Sequence, residues 1–192
     1  MKYLTIGTNE IKKELFIPIK DNEVNIYKPK GGLWLTKYNE KNKNYNAWVD
    51  YLIDNPDIFF YKNTEANIWE QPCSLVTLKD ESNIFILDNY VNYSYLKNNY
   101  PLDDNRFSYE LLAQKYDGIY VDTLKLLKDT KDEYVLKMIM QYAVSSLVLF
   151  NLECIDYYKS GYVLIEPFDL EYYRYESIGY EINHEKVKKR VR

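Results

Sequence analysis

The apolar residues of this chain come in runs no longer than a strand. The longest is Leu147 to Phe150 with its neighbours, and Gly, Pro, Asn or Asp punctuates the sequence between runs. Turn-forming residues at that density favour short elements over long helices. Expected strands are Lys2–Ile6, Leu15–Ile19, Val24–Tyr27, Leu33–Thr36, Ser74–Leu78, Asn83–Leu87, Gly118–Asp122, Ser146–Phe150, Tyr162–Ile165 and Glu171–Gly179. Asp80-Glu81-Ser82 reads as the turn of a hairpin. Four segments read as helices. In 45–54, Ala47, Trp48, Tyr51 and Leu52 recur at helical spacing before an Asn55-Pro56 stop. Tyr90–Leu96 is the second. The third runs to about Lys115, capped by Asp104 or Asn105, with Phe107, Leu111 and Leu112 on its buried side. In Asp132–Ala143, the residues Tyr134, Val135, Met138, Ile139 and Tyr142 follow the helical period. Strands and helices interleave without regular βαβ alternation. This predicts an α+β fold, a single domain over 1–184 with a split or mostly antiparallel sheet and three or four helices, and a basic tail over 185–192. A chain of 192 residues suits one domain and buries about 70% of its unfolded surface.

The side-chain inventory excludes several chemistries. There are 22 Tyr but one His and two Cys. One imidazole cannot build a His-rich zinc or copper site. Cys73 and Cys154 are too far apart in sequence for a CxxC redox pair. A Ser-His-Asp triad would depend on His184, at the edge of the tail. Abundant Lys, Asn, Ile and Tyr reflect an AT-rich genome, which accounts for part of the tyrosine count. The net charge of −4 disfavours non-specific nucleic-acid binding. Lys186, Lys188, Lys189, Arg190 and Arg192 form a basic run, either a solvated tail or a contact for an acidic partner. No secretory signal or membrane span is read, so a cytoplasmic protein of a bacterium or a phage-infected cell is expected.

Two segments carry candidate chemistry. In Tyr27-Lys28-Pro29-Lys30-Gly31-Gly32-Leu33-Trp34-Leu35-Thr36, paired glycines can bring backbone N–H groups close to an anion. Lys28 and Lys30 add positive charge, Trp34 offers a stacking face, and Thr36 a hydroxyl. The competing reading is a hairpin turn before a strand whose Trp34 fills the core. In Lys115-Tyr116-Asp117-Gly118-Ile119-Tyr120-Val121-Asp122, Tyr120 and Asp122 share one face of a strand. A carboxylate at a strand end could stabilise an oxocarbenium-like sugar cation. Alternatively, Asp117 makes a turn and Asp122 caps the next helix. Glu166 ends another apolar strand, Tyr38 flanks the first segment, and Trp48 serves either core or ligand. Ser145-Ser146 reads as a strand start.

These segments resemble a family of small, largely uncharacterised bacterial and phage proteins that carry a K-P-x-G-G-L-W segment. A helix with an aromatic pair follows, here Ala47-Trp48-Val49-Asp50-Tyr51. A helix leading into Y-D-G-I comes later, then an apolar strand ending in Asn151. The resemblance covers roughly residues 1–156. The order of elements is also similar to compact ADP-ribosyltransferase-like domains, which split NAD at the nicotinamide–ribose bond. That resemblance implies NAD as substrate and a cytoplasmic protein or nucleic acid as acceptor. It implies Thr36 near the hydroxyl position of the family, and Asp122, or else Asp117 or Glu166, near the catalytic carboxylate. Lys28, Lys30, Gly31, Gly32, Trp34, Tyr38, Trp48 and Tyr120 would bind the cofactor. Lys2–Thr8 lacks the family's His or Arg, so Thr5, Thr8 or a Lys would stand in. The alternative is a non-enzymatic inhibitor of the phage type, with an acidic, Tyr-rich binding surface.

Overall fold

The computed structural model describes residues 1–23, 27–38, 46–48, 51, 61–63, 68–165 and 173–176. The strands are β1 (Lys2–Ile6), β2 (Leu33–Lys37), β3 (Tyr61–Asn63), β4 (Ile68–Leu78), β5 (Ile84–Leu87), β6 (Gly118–Val121), β7 (Ser146–Leu149), β8 (Ile155–Ile165) and β9 (Tyr173–Glu176). Four α-helices lie wholly within the described residues: α1 (Tyr90–Asn99), α2 (Tyr109–Leu112), α3 (Thr123–Asp129) and α4 (Glu133–Tyr142). The α+β class is therefore as the sequence predicts. Contacts divide the chain into two compact units. The basic tail, Glu166, His184 and the segment 24–26 lie outside the described residues, as does most of 45–54, where Ala47, Trp48 and Tyr51 are helical.

One unit comprises the described residues within 1–11, 38–77 and 156–192. Its strands pair antiparallel: β1 with β4, in register Leu4↔Leu75, β3 with the start of β4, and β8 with β9. Leu4, Cys73, Val76 and Val163 are fully buried.

The other unit comprises 12–37 and 78–155 and carries most of the candidate residues. Its strands lie in the order β5-β6-β7-β2. β5 and β6 run parallel, and β7 runs antiparallel to both β6 and β2. Three strands thus point one way, and the carboxyl ends of β5, β6 and β2 share one edge with the start of β7. Phe85, Ile119, Val148 and Trp34 are in register, so they project from one face. That face packs into a core with Leu96, Leu112, Leu126, Val135, Met138 and Tyr142 from the helices. Each fully buried Leu or Met there contributes roughly 2 kcal/mol. Leu35, Leu147 and Leu149 project from the other face and are also fully buried. A strand covered on both faces reads as a continuous apolar run, which is why Leu147-Val148-Leu149-Phe150 shows no alternation.

Each helix begins at a side-chain cap. Asn89 accepts from Asn92 N, Ser108 from Leu111 N, Asp122 from Lys125 N, and Asp132 from Tyr134 N and Val135 N. A cap of this kind is worth about 1 kcal/mol. Behind α2 and α4 the buried hydroxyls form a chain. The Tyr27 carbonyl can only accept, so Tyr109 donates its proton there at 3.1 Å, and Tyr142 donates to Tyr109 at 3.0 Å.

Four expectations change. Ser74–Leu78 and Asn83–Leu87 are strands but not a hairpin: β4 pairs with β1, and β5 with β6. The turn between them joins strands of different units. The third helix is only Tyr109–Leu112, begun by Ser108. Ser108 makes the cap rather than Asp104 or Asn105, because residues 103–106 form a local turn in which the Asp103 carboxylate accepts Asn105 N and Arg106 N and pairs with the Arg106 guanidinium. Leu111 is exposed rather than buried. Leu15–Ile19 is not a strand. A 3-10 turn covers Lys13–Leu15, and only Lys20 pairs, in a single bridge to Lys30.

The paired glycines have a packing reason. Gly31 has φ +77°, and a Cβ there would lie 2.4 Å from the Pro18 carbonyl oxygen. Gly32 has φ +71°, and its Cβ would meet Val148 and the Leu149 carbonyl oxygen within 2.9 Å. Gly7, at φ +98°, has open space around it. Gly31→Ala is therefore expected to cost at least ~2 kcal/mol in urea unfolding and Gly7→Ala only about 1 kcal/mol, because the first adds a clash to the backbone strain. Equal costs would contradict this explanation of the pair.

Candidate functional site

The sheet of the second unit divides its sequence-predicted residues between two opposite edges. Gly31 and Gly32 precede β2, and Asp117 precedes β6. Both strands start at the same edge, since β6 and β2 each pair antiparallel with β7. Thr36 and Asp122 lie at the other edge. Four residues of strand separate the two, about 13 Å. Gly118 to Val121 and Ser146 to Leu149 are all buried, so the sheet centre is covered on both faces. The expected site joining Gly31-Gly32 to Asp122 is thus not brought together.

At the amino edge the groups are bound into the fold. Gly32 N donates to Ile17 O at 2.8 Å, and the Trp34 indole donates to Gly31 O at 3.1 Å. Trp34 packs on Tyr142 with centroids 5.3 Å apart, and the Lys28 ammonium lies 4.7 Å over its ring. Desolvation holds the Lys28 pKa below its ordinary value. Asp117 ties three strands. One carboxylate oxygen accepts Asn83 N at 2.8 Å, and the other accepts Asn151 Nδ2 at 2.9 Å. Its own N–H donates to Asn83 O, and its carbonyl accepts Phe150 N. Asp117 therefore holds β5, β6 and the exit of β7 in register.

The carboxyl edge holds the other group. Asp88 follows β5 and Asp122 follows β6, side by side because the strands are parallel. Lys125 Nζ sits 3.0 Å from Asp88 Oδ2 and 4.0 Å from Asp122 Oδ2. The hydrogen bond that Lys125 donates to Asp88, and the charge of that carboxylate, raise the Lys125 pKa. Asp122 Oδ1 accepts Lys125 N at 3.1 Å, so its cap reading holds. Ser145 Oγ accepts Thr123 N at 3.0 Å and bonds Thr123 Oγ1 at 3.1 Å. Buried Thr36 donates to Ser145 O at 3.5 Å. Thr36 and Asp122 are thus linked through Ser145 and Thr123. On the other face the Lys37 ammonium lies 4.0 Å over the Tyr120 ring. Ser145 is set by a tight turn: Ala143 has φ 62° and ψ −51°, and Val144 N donates to Tyr142 O at 2.7 Å. A γ-turn of this hand is rare and strained, and such strain clusters at functional sites.

Sequence reasoning missed Asp88, Lys37, Thr123, Lys125 and Ser145. One signal was present: an apolar strand followed at once by Asp occurs twice, at Leu87-Asp88 and Val121-Asp122. Tyr38 and Trp48 belong to the first unit, where Tyr38 N donates to Lys2 O and Trp48 N to Asn46 Oδ1. In β1, Thr5 is buried opposite Ser74, and Thr8 Oγ1 donates to Glu10 O at 2.7 Å. The two thiols are buried and unpaired, and burial pushes Cys73 up to about 12 and Cys154 up to about 11. Neither supplies a thiolate at neutral pH. Among the described residues, no group of three or more His, Cys, Asp or Glu is placed to hold a metal, and no helix is long and apolar enough to cross a membrane. Comparisons of the chain with protein-family models, curated proteins and solved structures found no match.

The two carboxylates differ in what they hold. Asp117→Ala leaves a backbone N–H and an amide without their charged acceptor, an expected loss of about 2–3 kcal/mol in urea unfolding. Asp122→Ala removes one cap, an expected loss of about 1 kcal/mol. The reverse order would show that Asp117 is not the structural member of the pair.

Proposed function

We propose that this chain is an ADP-ribosyltransferase-like protein whose reactive site is the carboxyl edge of the β5-β6-β7-β2 sheet. The observation that carries the reading is the placement of Thr36 and Asp122 at one edge, where Thr36 bonds the Ser145 carbonyl and the Ser145 hydroxyl bonds Thr123, the residue after Asp122. In open α/β sheets ligands bind outside the carboxyl ends of parallel strands, and β5 and β6 form one such parallel pair. Asp122 Oδ1 is used by the helix cap, while among the described residues Oδ2 has only the Lys125 ammonium, 4.0 Å away.

In this reading the bond between ribose C1′ and the nicotinamide nitrogen breaks, and nicotinamide leaves with the bonding pair. The Asp122 carboxylate stabilises the ribosyl oxocarbenium ion that remains. A nucleophile of the acceptor forms the new bond to C1′ and loses its proton. Ser145 and Thr123 supply hydroxyls for the ribose.

The test is incubation of the protein with NAD labelled on the adenylate, together with cell lysate, following label transfer and nicotinamide release. Wild type is expected to release nicotinamide and Asp122→Ala to fall by at least about a hundredfold, the usual weight of a charge-stabilising group. Circular dichroism would confirm that the variant is folded. Absence of nicotinamide release by wild type would overturn the proposal. A partner-binding reading draws on Val91, Leu124 and Leu127, which stand 74%, 66% and 54% exposed on α1 and α3. It predicts no nicotinamide release, so the same assay separates the two.

A further inference from the structure

Lys20 and Lys30 face each other across the strap that leads into β2. Each donates its backbone N–H to the other's carbonyl at 2.8 Å. That exchange is a hydrogen-bonded antiparallel pair, whose side chains leave on the same face with Cβ atoms roughly 5 Å apart. Like charges directly opposite one another destabilise such a pair. Both lysines are exposed, and among the described residues neither has an ion-pair partner. Lys28 belongs to the same strap. Its ammonium lies over Trp34, whose indole is bonded to Gly31, the residue after Lys30. It too has no carboxylate partner among the described residues.

Among the described residues neither acid of this turn, Asp21 or Glu23, makes an ion pair with the strap lysines. The Asp21 carboxylate is used by α2, accepting Ser108 Oγ at 2.5 Å and Tyr109 N at 2.7 Å. Glu110 Oε1 accepts Asp21 N at 3.3 Å. A repelling cross-strand pair with no ion-pair partner among the described residues breaks a local rule, and such breaks concentrate at functional positions.

We propose that Lys20 and Lys30 bind the diphosphate group of a small phosphorylated ligand, with Lys28 as a third contact. A diphosphate carries anionic oxygens on two adjacent phosphorus atoms, so each ammonium meets its own phosphate. The bound anion turns the repulsion of the pair into two charge-assisted contacts. It would also oppose the desolvation that disfavours charge on Lys28. This strap lies at the opposite edge of the sheet from Asp122, so the inference stands apart from the transferase reading and survives its failure.

The test is calorimetric titration of the whole protein with inorganic pyrophosphate, together with thermal melting. Wild type is expected to bind pyrophosphate, more weakly as salt is raised. Lys20→Glu replaces a repelling pair by an attracting one. It is expected to melt higher than wild type without ligand and to lose at least about tenfold in pyrophosphate affinity. Lys20→Gln, which removes one charge without adding another, is expected to lose affinity in the same direction and serves if the Glu variant does not fold. Failure of wild type to bind pyrophosphate would overturn the inference, and so would variants that bind it as tightly as wild type.

Discussion

The second unit depends on the Asp117 carboxylate. β5 and β6 are distant in sequence and parallel, so no tight turn can set their register. Asp117 sets it instead. Its side chain and backbone bond Asn83 at the start of β5, and its carbonyl and second oxygen bond Phe150 and Asn151 at the exit of β7. Hydrogen bonds to a charged acceptor are each worth about 1.5–3 kcal/mol, twice the neutral kind. Once the starts of β5 and β6 and the exit of β7 are fixed at one edge, the opposite ends of the three strands are fixed as well. The place where Asp88, Asp122, Thr123 and Ser145 meet is therefore a consequence of a bond made about 13 Å away.

The same register decides what the glycines do. Val148 and the Leu149 carbonyl oxygen press against Gly32, and the Pro18 carbonyl oxygen presses against Gly31. A Gly-Gly pair beside two lysines resembles an anion nest when read as sequence. In the fold both residues are chosen for close approach of the chain to itself, and Gly32 N is already spent on Ile17 O. Whatever the lysines of that strap hold, they do it with ammonium groups rather than with glycine amides.

Much of the fold was legible. The helix over Glu133–Tyr142 and the buried strand Ser146–Leu149 followed from periodicity and its absence, because each is packed by a single rule along its length. The β4–β5 hairpin failed because the polar turn at Asp80-Glu81-Ser82 signals only a reversal, not which strand each neighbour pairs with. The third helix starts later than read because Asp104 and Asn105 belong to a local turn closed by Asp103 and Arg106, and Ser108 is the cap. For the site, Thr36 and Asp122 lie at one edge of the sheet but on strands separated by β7, with Ser145 and Thr123 between them. Ser145 was passed over because its partner Thr123 is 22 residues away in sequence. The Trp34 ring, read either as a stacking face or as a core residue, packs against Tyr142 under a lysine.

The central claim is that a ligand binds at the carboxyl edge beside Asp122. Mapping NAD binding by the amide shifts of isotope-labelled protein tests it most directly. Shifts are expected to concentrate at Thr36, Lys37, Tyr120, Asp122, Thr123 and Ser145. An unchanged spectrum at saturating NAD, or shifts confined to residues outside that edge, would contradict it.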